Sequence, residues 1–308
     1  MIEYYRTVNN RIEPSTDLQD YTWVNLVAPD LAERQMLIDR FGIESSFFSA
    51  ALDIEETSHI DTEEDQTAII VDIPDRIRDD MGNVVFATIP FAIIMKDKLL
   101  ITVCLKDSAI IRDFTNGLVR HADTHFRTRL IFQILYRISQ TYLAYLKQID
   151  KMTNFTEQQL QQSMKNKELF RMMQIEKSLV YFSTSLKANE VTLQKILRGR
   201  LLKFYDEDKD LLEDVIIEVK QAIEMCTIYR DILGGTMDAY ASIISNNLNI
   251  VMKVLTSITI LMAIPTMISS FYGMNVDGLP FANFWFAVLL AVVLALICFI
   301  ILKVKKMF

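Results

Sequence analysis

The sequence predicts an α+β domain followed by a long helical stalk and a two-helix transmembrane hairpin. Three observations lead to this fold class. Up to about residue 105, short runs rich in β-branched residues alternate with amphipathic segments. Between residues 120 and 233, Gly199 is the only glycine and proline is absent, which favours long helices. Two uncharged apolar runs, at 254–272 and 284–302, are each long enough to cross a bilayer.

The first part of the chain has the pattern of a small sheet flanked by helices. Strands are expected where β-branched and aromatic residues cluster between turn residues, as in the turn at 79–83. Helices are expected where apolar residues recur every three or four positions. We expect strands at 21–27, 67–73, 84–95 and 99–105, and helices at 30–41 and 44–51.

The next part of the chain is helical throughout. We expect helices at 108–118, 124–162 and 166–198, and a last helix that starts near 206–210. This last helix meets no proline before Pro265, and the pair Gly234-Gly235 weakens it without breaking it. If it continues to Tyr272, its roughly 65 residues span on the order of 95 Å. Such a length predicts a stalk that becomes the first membrane span.

The two apolar runs are separated by so short a loop that they must form an antiparallel hairpin. Lys253 precedes the first run, whereas Lys303, Lys305 and Lys306 follow the second, and the loop has no Lys or Arg. Positive residues flanking membrane spans stay on the cytoplasmic side. The sequence therefore predicts a multi-pass protein of the inner (plasma) membrane with both termini in the cytoplasm. The expected domains are 1–120 (cytosolic α/β), 121–250 (cytosolic helices and stalk) and 251–308 (hairpin and basic tail).

The first membrane span has a polar face. Every third or fourth residue along it is polar or small and alternates with large apolar residues, which is the period of one helical face. The face comprises Asn249, Met252, Leu255, Thr259, Ala263, Thr266 and Ser270, and three turns earlier it reaches Asp238. Polar groups inside a membrane face a partner or water. Either the hydroxyls bond to their own helix, or several copies enclose a pore with the apolar second span outside.

Composition excludes several classes of function. The net charge is −7, with seven acids between Asp53 and Asp65, so binding to nucleic acid is not expected. Cys104, Cys226 and Cys298 are far apart and form no metal-ligand motif. No nucleophile–base pair, phosphate loop or nucleotide fingerprint is present, so the protein is not expected to be an enzyme.

The end of the polar face carries the tetrapeptide Tyr272-Gly273-Met274-Asn275. Between the two spans and before a basic tail, this motif resembles the signature of the CorA magnesium-transporter family. The run MKVLT at 252–256, Asp238, Asn249 and the segment 229–232 resemble the family as well. The resemblance is clear over 214–308 and architectural before it. It implies a funnel-shaped homopentamer in the bilayer that conducts divalent cations, with Mg²⁺ influx driven by the membrane potential.

The resemblance also assigns roles to the residues of the face. Mg²⁺ gives up its water reluctantly, so a mouth of Gly273, Met274 and Asn275 would hold the hydrated ion, with Asp277 raising the local cation concentration. Deeper in the pore, Met252 and Leu255 would form apolar collars that close by dewetting. The other pore-lining residues expected are Asp238, Asn249, Thr259, Ala263, Thr266 and Ser270.

A regulatory cytosolic site is also implied by the resemblance. Asp214 corresponds to a family carboxylate that binds Mg²⁺ together with a second Asp from the α/β domain of a neighbouring copy. The second partner is left open among Asp75, Asp79 and Asp80. Mg²⁺ bridging two carboxylates would neutralise their repulsion and act as a closing signal.

The sequence departs from the family pattern in two places. Pro265 lies one residue later than the proline that many members have, and Ala263 is small where a bulky residue is usual. The loop Pro280 is followed by Phe281 and Ala282 rather than by an acid. The preference among Mg²⁺, Co²⁺, Ni²⁺ and Zn²⁺ is therefore open. The alternatives are a zinc or cobalt/nickel transporter with this fold and a membrane-tethered cytosolic sensor.

Overall fold

A computed structural model of the protein describes residues 1–79, 82–163, 166–199, 202, 204–275, 281, 283–305 and 307. Its strands are β1 (Ile2–Val8), β2 (Arg11–Ser15), β3 (Trp23–Val27), β4 (His59–Glu63), β5 (Gln66–Arg78), β6 (Val84–Lys96) and β7 (Leu99–Cys104). Its helices are α1 (Leu31–Phe41), α2 (Ser45–Leu52), α3 (Ala109–Thr115), α4 (Arg127–Ser163), α5 (Asn166–Arg198), α6 (Asp206–Tyr272) and α7 (Phe284–Val304). The predicted α+β fold class with one long helix and two C-terminal apolar helices is confirmed.

The strands form one mixed sheet in the order β2-β1-β3-β7-β6-β5-β4. The pair β3–β7 is parallel, with Trp23 opposite Leu100, and the other pairs are antiparallel. β5 and β6 form its longest hairpin, from Gln66 opposite Lys96 to Arg78 opposite Val84. The central strand β7 is buried along its whole length, which explains its continuous apolar sequence.

One face of the sheet packs against α1 and α2. Asp30 and Glu33 close the start of α1 with a capping box, in which each side chain accepts a hydrogen bond from the other residue's backbone N–H. Gly42 ends α1 with φ 61°, a left-handed conformation that glycine adopts without strain. The short α2 then buries Phe47 and Phe48 against the sheet.

The other face packs against α4 and α5, where buried aromatic rings meet. The ring of Phe182 on α5 packs edge-on against Tyr142 of α4 at 5.0 Å and against Phe86 of β6 at 6.1 Å between centroids. All three side chains are buried. Such contacts hold the helices on the sheet, because the rings bury a large apolar area and prefer edge-on packing.

Asn189 on α5 replaces a missing strand partner of β5. β4 begins at His59, opposite Ile70, so the backbone of Asp72 lies beyond its end. The Asn189 amide fills the gap, because its Oδ1 accepts from the Asp72 N–H at 2.9 Å and its Nδ2 donates to the Asp72 carbonyl at 2.8 Å. Tyr142 Oη donates to the same carbonyl at 3.1 Å. Backbone groups that β4 does not reach are thus satisfied by side chains of two helices.

The chain divides into two compact units, Met1–Gly234 and Gly235–Phe308. Helix α6, with 67 residues, runs through Gly234 and Gly235 without a break, as predicted. The predicted domain boundaries at 120/121 and 250/251 remain predictions. The helix bounds agree with the sequence predictions to within a few residues, whereas strands β1, β2 and β4 were not predicted.

Candidate functional site

The membrane-length part of α6 has one face packed against α7. Ser257 and Ile268 are buried there, and residues one turn away, such as Leu261 and Tyr272, are half-buried. These positions recur every three or four residues, so they define one side of the helix. Both α6 and α7 contain a stretch that is long and apolar enough to cross a membrane. The more polar of the two helices therefore lies against a partner that offers almost no polar side chains.

The predicted pore residues lie on the opposite, exposed side of α6. Each of them is solvent-exposed in the single copy of the chain: Asp238, Asn249, Met252, Leu255, Thr259, Ala263, Thr266 and Ser270. Successive helical residues are rotated by about 100°, so Leu255 and Ser257 point in nearly opposite directions. The sequence periodicity thus selected the side of α6 that α7 leaves uncovered.

Hydroxyl groups on this exposed side donate hydrogen bonds back to their own helix. Thr259 Oγ1 donates to the Leu255 carbonyl at 2.8 Å, and Thr266 Oγ1 donates to the Met262 carbonyl at 3.0 Å. The alternative that the hydroxyls bond to their own helix is therefore observed for these two residues. A threonine hydroxyl has one hydrogen but two lone pairs. With the hydrogen turned inward, the lone pairs are directed outward and can accept from another group.

A shallow concavity of about 580 Å³ follows the same side of the helix towards its end. Thr259, Ala263, Thr266 and Ser270 line it together with methionine and phenylalanine side chains. Below it, Met252 and Leu255 are 52% and 56% exposed. Large apolar side chains facing open space, next to a hydroxyl-lined groove, are unusual for a helix that has no further partner.

Gly273, Met274 and Asn275, the last three residues of the tetrapeptide motif, lie just beyond the end of α6 at Tyr272. The Gly273 N–H still donates to the Ser269 carbonyl at 2.9 Å, whereas Met274 and Asn275 are exposed and outside the helix. A Cβ on Gly273 would lie 3.1 Å from the Ser269 carbonyl oxygen, which is closer than ordinary contact. A side chain at position 273 would therefore require the Ser269 carbonyl to move by a few tenths of an ångström. The predicted entrance residue Asp277 lies outside the described residues.

Ser257 forms a buried contact that the sequence pattern did not predict. Its side chain is fully buried, and its Oγ donates to the Met307 carbonyl at 3.2 Å. Leu302, near the end of α7, is 6% exposed, so this end of the helix pair is closely packed. Toward the other end, a groove of about 980 Å³ separates the helices beside Ala287, Ala291 and Ala295. The only available signal was that Ser257 is out of phase with the other hydroxyls.

The predicted regulatory carboxylates have different environments. Asp214 is exposed on α6. Asp75 forms an ion pair with Lys106 at 2.7 Å, and Asp79 accepts from Asn83 and Gln174 at the β5–β6 turn. Asp80 lies outside the described residues. Among the described residues of this single copy, no group of three or more His, Cys, Asp or Glu side chains is arranged to hold a metal ion.

These features describe a protein with an α+β domain and two C-terminal helices of membrane-spanning length, one of which exposes a partly polar face. The model of the family described as "CorA-like Mg2+ transporter protein" matches residues 18–306. The chain therefore belongs to the CorA-like Mg²⁺ transporter family, as the sequence resemblance indicated. Members of this family are ion transporters, so the chain is a membrane transporter rather than an enzyme.

Individual relatives agree with this assignment. The chain is 28% identical over 304 residues to the cobalt/magnesium transport protein CorA of Methanocaldococcus jannaschii, covering 93% of this chain and 92% of the relative. It is 27% identical over 197 residues to the protein of the same name from Thermotoga maritima, covering 63% of this chain and 55% of the relative. The complete structure of the CorA magnesium transporter from M. jannaschii superposes with a TM-score of 0.82 at 24% identity, covering 99% of this chain and 96% of that chain. This likeness shows the fold.

Proposed function

We propose that the protein is a homopentameric channel for Mg²⁺ and that the exposed face of α6 lines its pore. The observation that carries the proposal is the coincidence of two patterns. The face that alternates hydroxyl and apolar residues is the face that α7 leaves uncovered, and it ends at Gly273-Met274-Asn275. A single helix cannot enclose a pore, so several copies must surround an axis with α7 outside. The number five comes from the family resemblance.

The mouth selects a hydrated ion. Mg²⁺ exchanges its water slowly and binds best where the hydration shell is kept. A ring of Asn275 amide oxygens accepts hydrogen bonds from that shell, and the Gly273 carbonyls support it. Gly273 lets the backbone turn here, because any side chain would meet the Ser269 carbonyl oxygen at 3.1 Å. Neutral oxygens bind the hydrated ion weakly enough to release it, and Asp277 attracts cations to the entrance.

Below the mouth, rings of polar side chains are followed by rings of apolar side chains. Thr266 and Thr259 offer outward lone pairs, because their protons are donated to the helix backbone. Leu255 and Met252 form apolar collars that exclude ions by dewetting when narrow. Asn249 and Asp238 receive the ion on the cytosolic side. An inside-negative membrane potential drives the influx, at about 2.3 kcal/mol per elementary charge for 100 mV.

The proposed topology places both termini in the cytoplasm and the protein in the inner (plasma) membrane. Lys253, Lys303 and Lys305 are exposed at one end of the two helices. Lysines in short flanking segments are retained on the cytoplasmic side. The tripeptide 273–275 is then on the outer side, where an imported ion arrives first.

Cation uptake into proteoliposomes tests the proposed pore. Wild-type protein and the Asn275→Ala variant are compared under an inside-negative potential, with Mg²⁺ outside. We expect uptake by the wild type and a loss of at least tenfold in the variant. A matched change at Asn247→Ala, exposed but outside the mouth, leaves uptake unchanged. Unchanged uptake in Asn275→Ala would show that the mouth is elsewhere, and no uptake of any ion by the folded wild type would favour the tethered sensor.

The transported ion is assigned by competition in the same assay. Two relatives are named cobalt/magnesium transport proteins, which supports Mg²⁺ and Co²⁺ as cargo. We expect Mg²⁺ uptake to be inhibited by Co²⁺ more strongly than by Zn²⁺, because a neutral amide ring offers no soft ligand. A higher uptake of Zn²⁺ or Ni²⁺ than of Mg²⁺ would reassign the protein to another transporter of this fold.

Closure by cytosolic Mg²⁺ is proposed at Asp214. Its exposed carboxylate is available to a neighbouring copy, and a bound Mg²⁺ would bridge it to a second carboxylate. Asp75 and Asp79 are engaged within their own copy, so a bridging ion must displace those partners. We expect Asp214→Lys to abolish inhibition of uptake by internal Mg²⁺. Inhibition that persists unchanged in Asp214→Lys would remove this site.

A further inference from the structure

The outward face of α5 is basic and partly apolar. Ile175, Phe182 and Asn189 are buried on one side of this helix. On the opposite side, every third or fourth residue is exposed: Met173, Lys177, Val180, Thr184, Lys187 and Val191. Residues at this spacing share one side of a helix. The stripe has two lysines and no acidic residue.

The part of α6 that precedes Gly234 has an outward face of the opposite charge. Leu212, Val219 and Cys226 are buried on one side of this helix. The opposite side is exposed, again at intervals of three and four residues: Asp214, Ile217, Gln221, Glu224, Ile228 and Asp231. This stripe has three acidic residues and neither lysine nor arginine.

Apolar side chains are exposed at equal intervals on the two faces. Val180 and Val191 on α5 are 44% and 57% exposed, and Ile217 and Ile228 on α6 are 62% and 54% exposed. The members of each pair are about 16 Å apart along their helix, because both pairs have the same separation in the sequence. Apolar residues that alternate with charges along one helical stripe are typical of a seam between two helices.

Two contacts within one copy define how α5 lies beside α6. Lys220 Nζ is 3.9 Å from a carboxylate oxygen of Glu190. Burial raises the pKa of the Cys226 thiol, and the charges of Arg230 and Lys187 oppose that rise, so Lys187 lies near Cys226. The order of these contacts along α6 is the reverse of their order along α5. The two helices are therefore antiparallel here.

This arrangement puts matching side chains of the two faces at equal levels along the helices. Counted from the Lys220–Glu190 pair, the matched levels, each within about 3 Å, are Val191 with Ile217, Val180 with Ile228, and Lys177 with Asp231. Rotation about an axis along α6 does not change these levels. Lys195 is also level with Asp214, so it would compete there with the Mg²⁺ ion proposed above.

The charges that would meet are free to do so. Lys177 has no ion pair among the residues that the structure describes, and its Nζ lies over the Tyr181 ring at 5.6 Å from the centroid. Asp231 pairs with its neighbour Arg230 at 3.3 Å, and both side chains are exposed. Exposed pairs of this kind contribute little to stability, so Asp231 can change partner.

We propose that the outward face of α5 in one copy packs against the outward face of α6 in the next copy, with lysine facing acid and valine facing isoleucine. The inference rests on the proposed function, because several copies around an axis along α6 bring the two faces to the same level. The contact joins two different surfaces of the chain, so it is heterologous and can repeat around a closed ring. The alternating charges would fix its register.

Disulfide cross-linking of the full-length protein in membranes tests the contact. In a background with the three native cysteines replaced by alanine, Val180→Cys is combined with Ile228→Cys, and Val191→Cys with Ile217→Cys. A disulfide requires Cβ atoms about 3.5–4.5 Å apart. We expect mild oxidation to give a ladder of covalent oligomers for both pairs. Val180→Cys with Ile217→Cys is the matched control, about 16 Å out of register, and should give no ladder.

Charge reversal tests the polar part of the contact. Lys177→Glu would place like charges together, so we expect the yield of cross-linked Val180→Cys/Ile228→Cys oligomers to fall at least fivefold. Adding Asp231→Lys should restore the yield. Lys147→Glu, at an exposed position of α4 outside both faces, is the matched control and should leave the yield unchanged.

Three results would overturn the proposal: no ladder from either matched pair, a ladder from the out-of-register control, or no rescue by Asp231→Lys. The substituted residues are exposed, so the variants are expected to fold, and melting curves check this. If the ladder is absent while the protein still takes up Mg²⁺, the α5–α6 contact is wrong and the proposed channel stands. A monomer without uptake would contradict both.

Discussion

At the scale of single residues, Asp72 is the clearest case of a carboxyl group whose charged form is disfavoured by burial. Its carboxyl lies between β5 and α5, beside the buried Tyr142, and no lysine or arginine pairs with it among the described residues. Burial raises the pKa of Asp72, and a hydrogen bond from Ser185 opposes the shift only in part. The folded state therefore holds this proton more tightly than the unfolded state does.

The Asp72→Asn variant gives a prediction with a defined sign. Stability linked to Asp72 is fully present below the ordinary aspartate pKa of 3.8 and is lost as the pH rises through the raised value. Asparagine has no charge to bury, so we expect its melting temperature to exceed that of the wild type at neutral pH. The difference shrinks as the pH falls toward about 4. Thermal melts over this range measure it, with exposed Asp61→Asn as the control. A variant less stable than the wild type at neutral pH would contradict this account.

Gly273 gives a second prediction at the same scale. An added methyl group would lie 3.1 Å from the Ser269 carbonyl oxygen, so Gly273→Ala shifts the backbone at the end of α6 by a few tenths of an ångström. We expect Mg²⁺ uptake to fall at least several-fold. Gly235→Ala is the matched control, because a Cβ there meets nothing within 4 Å. In a helix interior, alanine is favoured over glycine by about 1 kcal/mol, so this control should melt higher and transport normally. Equal uptake by the two variants would exclude a special role of the Gly273 backbone.

At the scale of elements, the periodicity of α6 was predictable and its packing was not. The spacing from Asn249 to Ser270 identified one face from the sequence alone, since a helix repeats every 3.6 residues. Ser257 was missed because it lies off the periodic face, and the sequence does not reveal its hydrogen-bond partner. Its acceptor is the Met307 carbonyl, far along the chain. Contacts of this kind depend on tertiary structure.

Three strands escaped prediction for a related reason. β2 and β4 lie at the two edges of the sheet, and β1 lies next to β2. Proline and charged residues are tolerated at edges, so RIEPS and HIDTE lack the apolar alternation that identified the central strands. The central strands β5, β6 and β7 were predicted because burial on both faces gives them long apolar runs.

Substitutions of Thr266 test the proposed rings of polar side chains in the pore. Thr266→Val keeps the shape of the side chain but removes the lone pairs that would accept from the hydrated ion, whereas Thr266→Ser keeps them. We expect Mg²⁺ uptake to fall roughly tenfold in the valine variant, equivalent to a barrier about 1.4 kcal/mol higher. The serine variant should stay near the wild type. If both variants transport equally well, hydrated ions do not contact this hydroxyl.

At the scale of the whole molecule, one copy leaves the proposed pore-lining side of α6 uncovered by α7. The hydroxyl-lined concavity and the exposed Met252 and Leu255 are consistent with a surface that other copies enclose. The two membrane-length helices were predicted from the sequence, and the proposal of several copies rests on the periodicity of α6. The number of copies was not predicted from residue patterns, because the periodicity identifies a face of α6 but not the angle between neighbouring copies. The value of five rests on the family resemblance.

Cysteine accessibility along α6 tests the central claim most directly. In a background with Cys104, Cys226 and Cys298 replaced by alanine, single cysteines are introduced on both sides of the helix, and Mg²⁺ uptake is measured before and after a membrane-impermeant cationic thiol reagent. We expect the reagent to block uptake at positions 259, 263, 266 and 270, and to have no effect at 254, 261, 264 and 268, which lie on the side facing α7. Block at the second set, or block without helical periodicity, would contradict a pore lined by the exposed face of α6.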